Sequence, residues 1–188
     1  TLHVVRCEGG RVAYEPTGRL CARLDNSGPC RVELSDGRTR ELRVQLPEPL
    51  CLEGPWMLTA APAQGFGLTA PVTSALEKLV SWREIPELRT FAGIASYQTE
   101  FDLPPVLDRA DLGWVLELGD VYELADVWLN GRQVATSWFP PYGRDLTGHV
   151  RPGKNTLRVD VPNILKNHLE SGEYARPSGL LGPVRMRW

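Results

Sequence analysis

The side chains that most often perform catalysis are present in this sequence but are not grouped in a catalytic pattern. His3, His149 and His168 have no partner at a spacing typical of a triad. Ser178 lies in Ser-Gly-Leu rather than in a nucleophile elbow. The four cysteines contain no C-x-x-C pair, so their spacing does not predict a zinc site.

Acidic side chains are concentrated around residues 117–126 but do not form an obvious acid–base pair. Glu117 lies on the outward face of a predicted strand, and Asp120, Glu123 and Asp126 lie near a predicted hairpin. General acid–base chemistry needs groups held within reach of one substrate, whereas these positions are typical of solvated charges at a sheet edge. We therefore predict that the chain has no catalytic site and is not an enzyme by itself.

Aromatic and polar residues are grouped around a strand break at Pro140-Pro141. An aromatic ring can pack against the apolar C–H face of a sugar ring while a few fixed polar groups bind its hydroxyls. The pattern predicts a carbohydrate-binding rim with three residues near the prolines and three from a long loop: Trp138, Tyr142, Arg144, Asn167, His168 and Glu173. In the alternative interpretation, Trp138 and Phe139 close one end of a core and bind nothing.

The other tryptophans divide into core and surface candidates. Trp56, Trp82 and Trp114 are predicted to lie in the core. Trp128 alternates with aliphatic neighbours and is predicted to face away from the core. It would then pack on a helix, on the N-terminal segment or on a neighbouring domain, or it would serve as a sugar platform.

Alternating apolar and polar residues indicate the strands that must position this rim. In the clearest run, 94–103, every second residue from Ala95 onward is predicted to be buried. Asn130-Gly131 between two alternating segments is a strong hairpin signal, and Asp36-Gly37 turns another hairpin within residues 31–46. About eight strands with few helices predict an all-β fold, a two-sheet antiparallel β-sandwich of the jelly-roll type.

Two segments between these strands are predicted to be irregular or helical. Residues 71–82 are predicted to form a short helix across one end of the sandwich, because Ser74 and Glu77 have capping-box spacing and the apolar residues share one face. Residues 162–183 are predicted to form a long loop before a last strand at 184–188.

Cysteine and tryptophan divide the chain. All four cysteines lie in the first 51 residues and all six tryptophans follow them. We therefore predict a small β-rich N-terminal extension over residues 1–50, packed on a main sandwich domain over residues 51–188. In an exported protein, Cys7, Cys21, Cys30 and Cys51 could form two disulfides in three connectivities, and Cys7 and Cys21 could cross-link neighbouring strands. The alternative is four reduced thiols.

Composition argues against two classes of partner. The formal net charge of -2, with no run of Lys or Arg, gives no electrostatic footprint for nucleic acid or an anionic membrane. No apolar stretch approaches the roughly 20 residues of a membrane span, and the N-terminus lacks signal-peptide features. Because the sequence does not begin with Met, we expect a processed or excised fragment whose export signal lies outside it.

Four stretches carry a resemblance to a known family, in this order: Leu52-Glu53-Gly54-Pro55-Trp56; Trp82 with Phe91 to Phe101; Leu116 to Gly131; and Trp138 to Tyr142 with Gly153-Lys154-Asn155 and Pro177 to Val184. Together they resemble the sugar-binding, galactose-binding-like β-sandwich of family 2 glycoside hydrolases. They resemble even more the C-terminal β-sandwich of the family 106 α-L-rhamnosidase-like proteins. The resemblance covers about residues 50–188 and departs at Ala92, where the pattern commonly has Ser.

The resemblance implies that the catalytic acids belong to a separate barrel domain. The expected function is a non-catalytic carbohydrate-binding accessory module of a larger, α-L-rhamnosidase-like glycoside hydrolase, with carbohydrate and the neighbouring domains as partners. The alternative is a purely structural interdomain module without a sugar ligand. We expect the parent to be secreted, periplasmic or on the cell surface. No cofactor is expected, although calcium bound by Asp102, Asp145 and Asp160 is an alternative that no ligand spacing supports.

Overall fold

The computed structural model describes residues 3–14, 20–24, 26–107, 112–170 and 176–188. The chain divides into two compact units, one of residues 1–48 with Trp188 and one of residues 49–187. Both units consist mainly of antiparallel strands. The predicted all-β class is therefore confirmed.

The first unit consists of five strands among its described residues: β1 (Val4–Glu8), β2 (Arg11–Tyr14), β3 (Leu20–Arg23), β4 (Gly28–Leu34) and β5 (Thr39–Val44). They form a sheet of order β1-β4-β5 and a separate β2-β3 pair. The predicted hairpin at Asp36-Gly37 joins β4 to β5, and Gly37 has the positive φ, 80°, that such a turn uses. Cys7 lies in β1 and Cys21 in β3, so the two residues of that possible cross-link lie in different sheets and not on neighbouring strands.

The second unit contains twelve strands and one α-helix in its described part: β6 (Leu50–Cys51), β7 (Trp56–Phe66), β8 (Val72–Leu76), β9 (Ala92–Leu103), β10 (Val115–Glu117), β11 (Asp120–Tyr122), β12 (Ala125–Leu129), β13 (Arg132–Ser137), β14 (Gly143–Asp145), β15 (Gly153–Pro162), α1 (Lys166–Leu169), β16 (Gly179–Gly182) and β17 (Arg185–Arg187). Single 3-10 turns occur at Trp82–Glu84, Pro86–Leu88 and Pro105–Leu107. The largest sheet has the order β13-β12-β15-β9-β7-β8, a second has β14-β10-β17-β6, and β11 pairs with β16.

The largest sheet has one buried face, as the period-two pattern predicts. In β9 every second residue from Ala95 to Leu103 is buried. In the adjacent β15, Val159 lies opposite Tyr97, and it is buried together with Leu157. Removing these apolar groups from water stabilises the fold by roughly 25 cal/mol per Å². Three tryptophans predicted to lie in the core are also buried: Trp56, Trp82 and Trp114.

The hairpin between β12 and β13 is confirmed at Asn130-Gly131. Asn130 and Gly131 have φ values of 52° and 81°, and a two-residue turn of this type needs positive φ at both positions. The Asn130 amide donates to Asn155 Oδ1 at 2.9 Å and accepts from Thr156 N at 3.0 Å. The turn is therefore tied to the start of β15.

The predicted helix at 71–82 is wrong. Residues Val72–Leu76 form β8, which pairs with β7 so that Leu76 lies opposite Trp56. Ser74 and Glu77 have the spacing of a capping box, but the capping box in the structure is formed by Ser81 and Glu84 on a 3-10 turn. Cross-strand pairing therefore outweighs the local signal.

The predicted long loop at 162–183 is only partly irregular. It contains α1 and the strand β16. The sequence does not predict β16, because Gly-Leu-Leu-Gly has no apolar–polar alternation. In β16, Gly179 and Leu180 are buried on the same strand that pairs with β11.

The hydroxyl of Tyr97 holds β16 in place. It accepts hydrogen bonds from Trp82 Nε1 at 2.5 Å and from the Leu180 backbone N–H at 3.2 Å. Gly179 has a φ of 92°, and a Cβ there would lie 2.3 Å from the Tyr97 oxygen, so only glycine fits. Burial raises the pKa of Tyr97 to about 12.

Replacing Tyr97 by Phe should lower the free energy of unfolding by about 2–4 kcal/mol, because two buried donors lose their acceptor. Urea denaturation followed by tryptophan fluorescence measures this change. Tyr142→Phe is the matched control, since it removes one hydrogen bond of a partly exposed hydroxyl and should cost about 1 kcal/mol. Equal losses in the two variants would contradict a special role for Tyr97.

The raised pKa of Tyr97 predicts a pH dependence of stability. The folded pKa of about 12 lies above the ordinary tyrosine pKa of 10.0, so the stabilisation is complete below pH 10 and is lost as the pH rises through 12. The urea midpoint of the wild type should therefore fall more steeply between pH 10 and 12 than that of Tyr97→Phe. Parallel curves for the two proteins would show that another group controls the alkaline transition.

Candidate functional site

The predicted rim begins where β13 ends. Ser137 is the last residue of β13 and is buried, but Trp138 is 66% exposed and Phe139 is 70% exposed. The interpretation in which these two aromatic residues close the core is therefore wrong. Trp138 follows the buried Ser137, so alternation places it on the opposite side. Beyond it, Pro140 and Pro141 have no backbone N–H, so the strand does not continue in a way that would turn Phe139 inward.

Tyr142 lies beyond the proline pair and is partly buried. Its hydroxyl donates to the Glu123 carbonyl at 2.9 Å, and its own carbonyl accepts from Leu118 N at 3.0 Å. Burial raises the pKa of Tyr142, and the nearby Glu123 and Tyr122 raise it further. The phenol is therefore held neutral, and its oxygen can still accept a hydrogen bond from a ligand hydroxyl.

Arg144 lies in β14 and is bound to the backbone of the same rim. Its Nε and Nη2 donate to the Thr136 carbonyl at 3.4 and 3.2 Å, and its Nη1 donates to the Gly143 carbonyl at 2.9 Å. A guanidinium carries five N–H groups, so these bonds fix its plane and leave N–H groups for a ligand. Because Thr136 belongs to β13, Arg144 is positioned beside the strand that presents Trp138.

The predicted loop residues have other contacts. Asn167 is 1% exposed, and its Nδ2 donates to the Arg89 and Phe91 carbonyls, each at 2.9 Å. His168 Nδ1 lies 3.2 Å from the Thr90 carbonyl. These two side chains therefore anchor α1 to the turn before β9. Glu173, the sixth predicted residue, lies outside the described residues.

The sheet order separates these two groups laterally. The ring of His168 lies against Phe66, at the end of β7, with 6.1 Å between ring centroids. Three strands lie between β7 and β13, which corresponds to about 19 Å at the usual strand spacing. Trp138, Tyr142 and Arg144 therefore lie at the connection between β13 and β14, whereas Asn167 and His168 lie beside β9 and β7.

Trp128 faces away from the core, as predicted. The Arg158 guanidinium lies over its ring, 4.2 Å from the centroid, and so covers one face of the indole. Arg158 Nε also lies 3.2 Å from Asp160 Oδ1. Of the six tryptophans, Trp138 is the one with a highly exposed side chain.

Several of the acidic residues that the structure describes are engaged by neighbouring groups. Among the described residues, no three His, Cys, Asp or Glu side chains lie together in a way that could hold a metal ion. Of the candidate calcium ligands, Asp145 Oδ1 accepts from Thr147 N at 2.8 Å and Asp160 pairs with Arg158. Glu117 Oε1 pairs with Arg187 Nε at 2.6 Å.

In the described part of the chain, no helix has the length and apolar character needed to cross a membrane.

Two exposed aromatic residues were not predicted as part of the surface. Phe139 adds a second exposed aromatic side chain at the rim, and Phe66 forms a separate aromatic contact with His168. The signal for Phe139 was the Pro-Pro pair directly after it, which interrupts the alternation that would assign it to a core face. For Phe66 no such signal exists, because its exposure depends on where β7 passes the edge of β9.

Comparisons with known proteins agree with this architecture. Residues 88–179 match the family described as "Glycosyl hydrolase 2 galactose-binding domain-like". A protein of Formosa agariphila named "Putative beta-glucuronidase" is 32% identical over 130 residues, which make up 68% of this chain and 11% of that protein. The chain thus spans about a tenth of the length of this curated relative.

Solved structures show the same fold. The rhamnosidase from Novosphingobium sp. PP1Y has a TM-score of 0.63 and 22% identity, and the match covers 100% of this chain and 24% of that one. A β-glucuronidase from Ruminococcus gnavus has a TM-score of 0.57 and 23% identity, with 78% of this chain and 29% of that chain covered. The resemblance found in the sequence is confirmed: residues 88–179 match the galactose-binding-like domain of family 2 glycosyl hydrolases, and the solved structures share the fold of this chain.

Proposed function

We propose that this chain is a non-catalytic accessory module of a larger glycoside hydrolase and that the rim at Trp138 binds glycan for a catalytic domain elsewhere in the parent polypeptide. The observation that carries the proposal is the exposure of Trp138 and Phe139 beside Tyr142 and Arg144. The partial coverage of the relatives supports the accessory role, because each of them is several times longer than the matched region.

Exposed aromatic rings at this position suit a sugar. Leaving a large side chain in water forgoes about 1.5–3 kcal/mol of burial energy, and two such side chains in succession form an apolar surface that a ligand can cover. The C–H face of a pyranose ring stacks on an indole, which is rigid and therefore loses little conformational entropy on binding. Trp138 would be the platform and Phe139 its extension.

The polar groups beside the platform favour an acidic or richly hydroxylated sugar. The remaining N–H groups of Arg144 can donate to a carboxylate or to ring hydroxyls, and its plane is already fixed by the Thr136 carbonyl. Tyr142 supplies a neutral phenol oxygen. Two of the relatives bear the name β-glucuronidase, so uronate-containing oligosaccharides are the first probes to test.

The alternative is a purely structural module that binds no sugar. Phe139 favours it, because two adjacent exposed aromatic side chains also suit the apolar centre of a contact with a neighbouring domain. In that case Trp138 and Phe139 would be covered in the parent polypeptide.

The proposed location follows from the proposed parent. An enzyme that degrades glycans outside the cell would place this module in a secreted, periplasmic or cell-surface protein. Hydrolysis of aryl glycosides by the isolated chain would contradict the non-catalytic part of the proposal.

Trp138→Ala should abolish binding of rhamnose-, galactose- or uronate-containing oligosaccharides that the wild type binds at millimolar concentration. Isothermal calorimetry measures the affinity, and quenching of tryptophan fluorescence reports on the platform itself. Phe66→Ala is the matched control, because it removes another exposed aromatic side chain about 19 Å away across the sheet. It should leave the affinity unchanged.

Three outcomes separate the interpretations. Loss of binding in Trp138→Ala alone supports the rim. An equal loss of affinity in both variants would show that the binding site is not centred on Trp138. No binding of any of these oligosaccharides by the wild type would overturn the carbohydrate proposal and leave the structural module.

Trp138→Ala should change the free energy of unfolding by less than about 0.5 kcal/mol, since the side chain is mostly exposed. Trp56→Ala, at a fully buried position in β7, should cost about 3–5 kcal/mol. Urea denaturation of both variants by circular dichroism measures the difference. A large loss of unfolding free energy in Trp138→Ala would mean that the indole contributes to the fold. A loss of sugar binding in this variant could then be caused by destabilisation and would not support the rim.

A further inference from the structure

Two cysteines of the first unit lie side by side. The Sγ atoms of Cys7 and Cys30 are 3.9 Å apart, although the residues are 23 positions apart in the chain. The register of β1 and β4 explains this contact: Cys7 lies opposite Val32, and Cys30 is the next residue of β4 on the same face. The two thiols are therefore diagonal neighbours on one face of the sheet.

The turn after β1 closes over this pair. The Cys7 thiol donates to the Gly10 carbonyl at 3.3 Å, and a Cβ on Gly10 would lie 3.1 Å from Cys30 Sγ. Gly9 has a φ of 80°, and a Cβ on it would meet the Pro29 carbonyl at 2.1 Å. Two glycines thus allow the chain to fold tightly onto Cys30 and hold the two sulfurs in contact.

The two thiols differ in their access to solvent. Cys30 is fully buried, whereas Cys7 is partly exposed. A small reagent can therefore reach the pair through Cys7, and a pocket of about 460 Å³ lined by residues near the two cysteines in sequence, including Gly9, Gly10 and Pro29, lies close by. Burial and the neighbouring Cys7 raise the pKa of Cys30, which disfavours its thiolate relative to that of an exposed cysteine.

We infer that Cys7 and Cys30 form an intramolecular disulfide when the folded chain meets a small-molecule disulfide such as oxidised glutathione. The Cys7 thiolate attacks one sulfur of the reagent, and one glutathione thiolate leaves. The Cys30 thiolate then attacks the Sγ of Cys7 in the mixed disulfide, and the second glutathione leaves. Two protein thiols are oxidised, one reagent disulfide is reduced to two thiols, and each protein thiol gives up one proton.

The bond would link β1 to β4 within the first unit. Bringing the sulfurs from 3.9 Å to bonding distance needs rotation of the two side chains and a small adjustment of the glycine turn. The closed loop restricts the unfolded chain, so the oxidised form should resist unfolding better than the reduced form.

Peptide mapping tests the inference on the full chain. The protein is incubated with oxidised glutathione, remaining thiols are alkylated in denaturant, and trypsin is added. Trypsin leaves each cysteine on a different peptide: residues 7–11, 20–23, 24–31 and 44–78. We expect a linked 7–11 and 24–31 pair that has lost two hydrogen masses, with Cys51 not joined to it.

Variants and a denatured control assign the linkage to the fold. Cys7→Ser and Cys30→Ser should abolish it, whereas Cys51→Ser, at an exposed position in the second unit, should leave it intact. Oxidation in denaturant should give mixed pairings, which shows that the folded geometry selects the pair. The oxidised wild type should also be cut by trypsin within the first unit about tenfold more slowly than the reduced protein.

Several results would overturn the inference. One is four alkylated cysteines after oxidation of the folded wild type, and another is a stable glutathione adduct on Cys7 without a link to Cys30. A third is a link between Cys7 and Cys21 in the folded chain. If Cys30→Ser does not fold, the peptide maps of the wild type oxidised in its folded and in its denatured state still test the inference.

Discussion

The buried hydroxyl of Tyr97 is the contact on which the second unit depends most. It accepts from Trp82 Nε1 and from Leu180 N, and so joins three segments that are distant in sequence. Nearby, Trp82 N donates to the Ser178 carbonyl and Ser178 N donates to Ser81 Oγ. These polar groups are buried, so each needs a hydrogen-bond partner within the protein. Gly179 is required beside them because a Cβ at this position would overlap the Tyr97 hydroxyl and the Trp82 ring.

The strands and turns could be predicted from the sequence because their signals are local. Period-two alternation gave β9 its buried face, and Asn130-Gly131 gave the hairpin its position. The prediction for residues 71–82 is wrong because the capping-box spacing at Ser74 is a local signal, whereas the strand at Val72–Leu76 is selected by pairing with the preceding strand, β7. β16 was missed for the same reason, since it is defined by contacts with Tyr97 and β11.

The rim could be predicted only in part. Trp138, Tyr142 and Arg144 follow one another in sequence, so a strand break was enough to group them. Whether an aromatic residue after a strand turns inward or outward depends on the backbone at Pro140-Pro141, which pattern alone does not give. Asn167 was predicted to be an exposed binding residue because it is polar and lies in a predicted loop. In the structure its side-chain amide is buried, because it donates to two backbone carbonyls.

Arg144 has a consequence for the free side of the largest sheet. Within the described strands, β13 has a neighbour on one side only, and an open edge of this kind invites pairing with another chain. The guanidinium bonded to the Thr136 carbonyl occupies one of the acceptors through which such pairing would proceed, and it places a positive charge beside the strand. A charge and an occupied acceptor at a strand edge disfavour edge-to-edge pairing, so the residue proposed to bind glycan has a second physical effect on the same strand.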